Sequence, residues 1–296
     1  MRPLFFKTFI VVITLSVMVI SLFAWSNPID SDVKNMIIAD PVLGWRHPPN
    51  SLFRHHSKEF DVLTTFDNRG WRVDGGRTES ERTILFLGDS LVEAMQVQDD
   101  RTSSAVLAKL TNHNVINLGM SNFGIGQQVL TYLSERQHYP KADYVVVVIS
   151  ALHANRTGNS MVFGVSGRLR ARPAFFVNGP WLCKRQPLDW NAFRKLKGGE
   201  SFAGNATTHF PTYTLVTNVN HALIVELRRI VKIDGAELVV VDLSSDFGSA
   251  GEWVNEIGAI KLNDCLECRW PKDGHYNDKG NRQIALLIAG FIQENK

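Results

Sequence analysis

Cysteine is scarce in this chain: 296 residues carry three, Cys183, Cys265 and Cys268. The Cys265-x-x-Cys268 spacing occurs in redox and zinc sites, but no second pair completes a zinc set. Neither an H-E-x-x-H run nor an aspartate cluster at ligand spacing is present, so metal chemistry has no support and no cofactor is expected. Lysine and arginine form no long run, and the net charge of +3 is modest. Nucleic acid is therefore set aside as a partner. Internal repeats and low-complexity tracts are also missing. What remains, 44% hydrophobic and 21% charged residues, is the composition of a globular protein. A chain of this length holds one sizeable α/β domain with appendages.

One long uncharged run stands apart, Thr8 to Ile29, with the apolar heart FIVVITLSVMVISLFAW. It is long enough to cross a bilayer as one helix, which takes about 20 residues. Arg2 and Lys7 precede it and Asp30 and Asp32 follow. That asymmetry keeps the N-terminus cytoplasmic and exports the body. Residues 1–26 are thus read as a membrane anchor or a signal sequence. Ala24 and Ser26 form a small-residue cleavage site, whereas the apolar stretch is long for a signal peptide. An uncleaved anchor holds the domain to the membrane through this helix, in the periplasm or outside the cell; cleavage makes it secreted. The cysteines then meet an oxidising compartment. There a disulfide, local or linked to Cys183, braces the loop before His275.

Residues 27–82 combine the Pro- and Gly-rich DPVLGWRHPPN with an extended stretch, Phe60 to Phe66, and a turn at Asp67 to Gly70. They are read as a leader strap packed on the core. From Thr83 the pattern alternates between buried strands and amphipathic helices. Strands are expected at Ile84–Leu87, Val115–Leu118, Tyr144–Ser150 and Glu237–Leu243. Helices are expected near Ser103–Leu110, Gln127–Arg136, Leu215–Lys232, Asn255–Ile260 and Asp278–Glu294. Continuous Val-rich strands separated by helices mean a parallel sheet covered on both faces. The domain thus spans residues 83–296, with a long insertion at about 155–213, too long for a plain connection. That insertion is either a lid over the site or a solvated excursion. Trp71, Trp181 and Trp270 are candidates for stacking on sugar rings, although burial is the commoner fate of tryptophan.

The chemistry concentrates in two stretches. In Thr83–Met95, TILFLGDSLVEAM, a buried strand breaks at Gly88-Asp89-Ser90 and helical spacing follows. A serine at such a corner has its hydroxyl lifted clear of the sheet and its own N–H at a helix start, where an oxyanion is favoured. Asp89 beside it is read as a hydrogen-bonder to loop amides. Near the C-terminus, Asp273-Gly274-His275-Tyr276-Asn277 precedes the closing helix. There His275 is the candidate base, and Asp273 the group that fixes its tautomer.

Together these stretches resemble the SGNH (GDSL-like) hydrolase superfamily, in its membrane-anchored exported bacterial form. The leader, with Gly-Trp-Arg, Pro-Asn and a later Asn-x-Gly-aromatic-Arg, is similar to stretches that precede Gly-Asp-Ser in many such proteins. The resemblance implies a flavodoxin-like three-layer α/β/α sandwich with a parallel sheet, plus an N-terminal transmembrane helix. It implies Ser90, His275 and Asp273 as catalytic residues. The Asp-x-His spacing is shorter than the common Asp-x-x-His and resembles some polysaccharide O-acetylation proteins. The oxyanion hole it implies takes the Ser90 N–H, then Asn122 where the family has glycine. The third donor falls on His153 by an ungapped count, or on Asn155 after a two-residue shift. Gly119, Gly124 and Gly126 read as loop-shaping.

The implied activity is an O-acyl ester hydrolase or acyltransferase, acetyl above all, acting on cell-envelope or extracellular polysaccharide. Its partners are then a carbohydrate or other acylated small substrate and, for transfer, a membrane acyl donor. The alternative is a non-catalytic polysaccharide-binding or assembly factor that retains the fold.

Overall fold

The computed structural model describes residues 36–154, 156–158, 161–163, 169–178, 181–185, 213–243, 252–263 and 265–295. The expected anchor over Thr8–Ile29 lies outside them. Among the described residues no helix is long and apolar enough to cross a membrane.

The leader folds into two small antiparallel sheets. In the first, β1 (Ile38–Asp40) and β2 (Gly44–Arg46) pair around a turn that Asp40 caps, its Oδ1 accepting from Val42 N and Leu43 N at 2.8 Å each. In the second, β3 (Leu52–His56), β4 (Asp61–Phe66) and β5 (Arg72–Val73) form a meander. Strand β4 alternates strictly, burying Val62, Thr64 and Phe66, the period-2 pattern of a sheet with one wet face. At the next turn Asp67 Oδ1 accepts from Arg69 N and Trp71 N, at 2.8 and 2.9 Å.

The main sheet has five parallel strands in the order β14-β13-β8-β6-β7. They are β6 (Thr83–Gly88), β7 (Asn114–Gly119), β8 (Tyr144–Ile149), β13 (Glu237–Asp242) and β14 (Ile260–Lys261). Counted along the chain this is 2-1-3-4-5, the order of flavodoxin-like sheets. Helices alternate with the strands: α1 (Ser90–Glu93), α2 (Ser103–Thr111), α3 (Ile125–Glu135), α4 (Ala151–Ala154), α5 (Tyr213–Ile233), α6 (Trp253–Glu256) and α7 (Asp278–Glu294).

Strand parity decides which helices pack where. Leu85, Leu87, Val145 and Val147 meet α3, α5 and α6; Ile84, Phe86, Val146 and Val148 meet α2 and α7. Both faces are covered, so the strands need no polar side. Helix α7 buries Ile284, Ile288 and Ile292 at four-residue spacing. Each such side chain contributes about 1.5–3 kcal/mol. Its start is capped by Asn277, whose Oδ1 accepts from Lys279 N at 2.9 Å and Gly280 N at 3.2 Å. Within the expected insertion lie β9 (Met161–Phe163) with β10 (Leu169–Ala171), and β11 (Ala174–Asn178) with β12 (Trp181–Arg185), two antiparallel hairpins.

The helix after Ser90 differs from expectation. The spacing of Leu91–Met95 predicts a continuing helix, but α1 is a single turn ended by Ala94 at φ 54°. Buried Arg72 explains the stop. Its guanidinium donates to the carbonyls of Glu93, Ala94 and Val97, which a longer helix would use itself.

Candidate active site

Strand order reverses beside β6, and ligands of such sheets lie in the crevice at the carboxyl ends of the strands there. Ser90 stands at that edge. Asp89 is the N-cap of α1 and accepts from Leu91 N at 3.0 Å. The hydroxyl of Ser90 meets His275 Nε2 at 2.9 Å, and His275 Nδ1 meets Asp273 Oδ1 at 2.6 Å. Burial pushes the Asp273 carboxyl up, but the hydrogen bond and charge of His275 outweigh it and hold it below its ordinary value. An ionised Asp273 accepts the Nδ1 proton, which leaves the Nε2 lone pair for the serine proton. Gly274 makes the short spacing possible. At φ 83° it turns the chain in one residue, so the acid and the base share a single turn.

The opposite wall comes from the loop after β7. Asn122 has φ 67°, a left-handed conformation that asparagine tolerates. Its N–H has no hydrogen-bond partner among the described residues, and neither has the N–H of Ser90. Both residues line the cavity that holds Ser90 and His275, with a volume of about 250 Å³. The preceding residue is tied down: Ser121 N donates to Glu93 Oε2 at 2.8 Å, and the Ser121 hydroxyl donates to the same oxygen. Glu93 in turn pairs with His47 of the leader. Burial opposes its charge, but His47 and Ser121 outweigh that and keep the Glu93 carboxyl below its ordinary value. Gly119 allows this contact, since a Cβ there would lie 2.3 Å from Glu93 N.

His153 is corrected by the structure. Its Nδ1 accepts from Ser150 N at 2.9 Å, its Nε2 faces Asp89 Oδ2 at 3.1 Å, and the fully buried ring does not line the cavity beside Ser90, so it is not placed to meet an oxyanion there. Asn155, the other candidate donor, lies outside the described residues. Asp89 is fully buried and also takes Arg156 Nη1 at 2.7 Å. Burial pushes its carboxyl up, yet the His153 and Arg156 contacts prevail and hold it well below the carboxylate range. It supports the serine turn as an anion and is no proton donor.

The leader reaches the site through His47, His55, Met36 and Ile37, which line the same cavity. Burial lowers the pKa of His55, favouring a neutral ring beside His275. The disulfide joins Cys265 to Cys268, the local pairing, with Cα atoms 5.3 Å apart. Trp71 is buried in the core and is unavailable for stacking. A second hollow of about 320 Å³ opens near Tyr132, Arg136 and Asp234, by the amino ends of the strands, and contains no serine or histidine. Sequence reading missed Glu93, His47 and Arg156. The leader motif around Gly44-Trp45-Arg46-His47 was the available signal for the first two.

A serine, a histidine and an aspartate in hydrogen-bonded series, beside two N–H groups that have no partner among the described residues, make up a constellation suited to acyl-transfer chemistry. No protein-family profile matches the chain, and no curated protein does. Solved structures do. One is a member of the lipolytic G-D-S-L family from Veillonella parvula, at 10% identity over 70% of this chain and 95% of that one, TM-score 0.40. Another is an acetyl xylan esterase from the rumen bacterium Butyrivibrio proteoclasticus, at 10% over 74% and 64%, TM-score 0.43. A third is the psychrotrophic esterase EstA from Pseudoalteromonas sp., at 14% over 72% and 97%, TM-score 0.41. Proteins of this kind are the ones that the Gly-Asp-Ser and Asp-Gly-His motifs resemble. At these scores the likeness stands beside the geometry and carries no weight for activity.

Proposed function

We propose that this chain is a serine-dependent O-acyl ester hydrolase or acyltransferase, with acetyl as the acyl group and an envelope or extracellular polysaccharide as substrate. The observation that carries this is the unbroken series from Ser90 Oγ through His275 to Asp273. Ser90 attacks the ester carbonyl while its proton passes to His275 Nε2. Asp273 stabilises the imidazolium, and the N–H groups of Ser90 and Asn122 receive the oxyanion. Collapse expels the alcohol, which takes the proton from His275 and leaves an acyl-serine. Water then releases a carboxylic acid, or a sugar hydroxyl accepts the acyl group.

The cavity supports a short acyl group, because 250 Å³ is below the roughly 300–1,000 Å³ of pockets for drug-sized ligands. Incubation with a fluorophosphonate should label Ser90, and p-nitrophenyl acetate should be cleaved faster than its longer-chain homologues. An unlabelled serine together with no ester cleavage would move the chain to the non-catalytic binding reading. Preference for long chains would make it a lipase.

The charge asymmetry around Thr8–Ile29 supports an exported body held by an uncleaved anchor, close to a membrane acyl donor if transfer is the reaction. A C-terminal alkaline phosphatase fusion should accordingly be active and a green fluorescent fusion dark. The reverse pattern would place the body in the cytoplasm and remove the envelope substrate.

A further inference from the structure

We propose that Glu59, in the leader hairpin, is a positioning residue that holds the Asp273–His275 turn against Ser90. This rests on the esterase reading above and assigns the leader a part in it. The turn satisfies most of its own donors. Trp270 N donates to His275 O and Gly274 N to Trp270 O, both at 2.8 Å, and Asn277 N donates to Cys268 O at 2.9 Å. His275 N donates to the Asp273 carboxylate at 3.3 Å. Pro271 has no N–H, so between Trp270 and His275 the backbone donors of Lys272 and Asp273 are the two that the turn itself does not take up.

Both go to one carboxylate. Lys272 N lies 3.0 and 3.1 Å from the two Glu59 oxygens, and Asp273 N lies 2.9 Å from Oε2. Adjacent N–H groups converging on an anion form a strong, directional contact. Glu59 is itself held, because Ser57 Oγ accepts from Glu59 N at 3.0 Å and from Phe60 N at 3.3 Å, closing the hairpin turn. Beside it the Phe60 and Trp270 rings pack at 5.9 Å between centroids. Hairpin and turn therefore meet at a polar contact and an apolar one.

The short Asp-x-His spacing gives this clamp its purpose. Acid and base ride on the same turn, so any swing of its backbone carries both away from Ser90 together. Their mutual 2.6 Å bond survives such a swing, but the 2.9 Å bond to the serine does not. Glu59 fixes the one coordinate that the pair cannot fix for itself.

The test compares the full chain with Glu59→Ala and Glu59→Gln, using p-nitrophenyl acetate turnover, fluorophosphonate labelling rate and thermal melts. Glu59→Ala should lower kcat and the labelling rate by about 10- to 100-fold with KM within about twofold, the size expected for misplaced catalytic groups. Glu59→Gln keeps an acceptor oxygen and should restore most of that loss. Wild-type kcat in Glu59→Ala overturns the proposal, as does a loss confined to KM or matched by a collapsed melt. Equal loss in Glu59→Gln also overturns it, since the acceptor would then not be what matters. A wild-type chain that neither labels nor turns over ester fails at the earlier step and removes the esterase reading, and the clamp falls with it.

Discussion

Ser90→Ala should lose essentially all turnover of acetyl esters, by about 10⁴–10⁶-fold, the scale seen when a covalent nucleophile is removed. Fluorophosphonate labelling should vanish with it. Stability should hardly change, because the Ser90 hydroxyl has one hydrogen bond among the described residues, to His275. His275→Ala should cost a comparable amount, and the double variant little more than either alone, because the members of such a series act as a unit. Stopped-assay kinetics and a thermal melt on the same preparations separate chemistry from folding. Wild-type-like turnover by a folded Ser90→Ala chain would end the claim that Ser90 is the nucleophile.

Asp89→Ala should be the most damaging change to stability near the site. Its carboxylate is fully buried between His153 and Arg156 and caps α1. Removing one partner of a buried charge pair costs about 3–5 kcal/mol. In a domain of this size that is a fall in Tm on the order of 10 °C. Asp89→Asn preserves an N-cap oxygen, worth about 1 kcal/mol, so it should recover that part and no more. The pH dependence has a definite sign. Asp89 and Glu93 both have folded pKa values below their unfolded ones. Their contribution is complete above the unfolded carboxylate pKa, about 4, and is lost as pH falls through the depressed folded values. Wild type should therefore lose stability in acid below about pH 4, and Asp89→Ala should show a shallower decline there. Urea unfolding across that range measures both, and a cost under about 0.5 kcal/mol, typical of surface positions, would show that Asp89 does not anchor the serine turn.

Local pattern made the domain from Thr83 legible. Apolar runs such as Tyr144-Val-Val-Val-Val-Ile149 have no polar face to hide, so they are read directly as central parallel strands. The serine corner and the Asp-Gly-His turn were legible as motifs, and the carboxyl-end rule for such sheets explains why they meet. Long-range partners were not legible. Arg72 truncates α1 from a separate sheet, and His153 is claimed by Asp89 across 64 residues, a competition no local count reveals. The leader hairpin is similar: alternation in β4 marks a strand, but nothing in it says that its turn grips the Asp273–His275 turn.

That grip also sets the order of assembly. Glu59 and Lys272 are 213 residues apart in sequence. At synthesis rates of about 5–20 residues per second the hairpin leaves the ribosome about 10–40 s before the turn it must hold. Contacts so distant along the chain form late and slowly. On the proposed reading, a nascent chain therefore displays Ser90 long before the Asp273–His275 turn can reach it, and the nucleophile waits for its base.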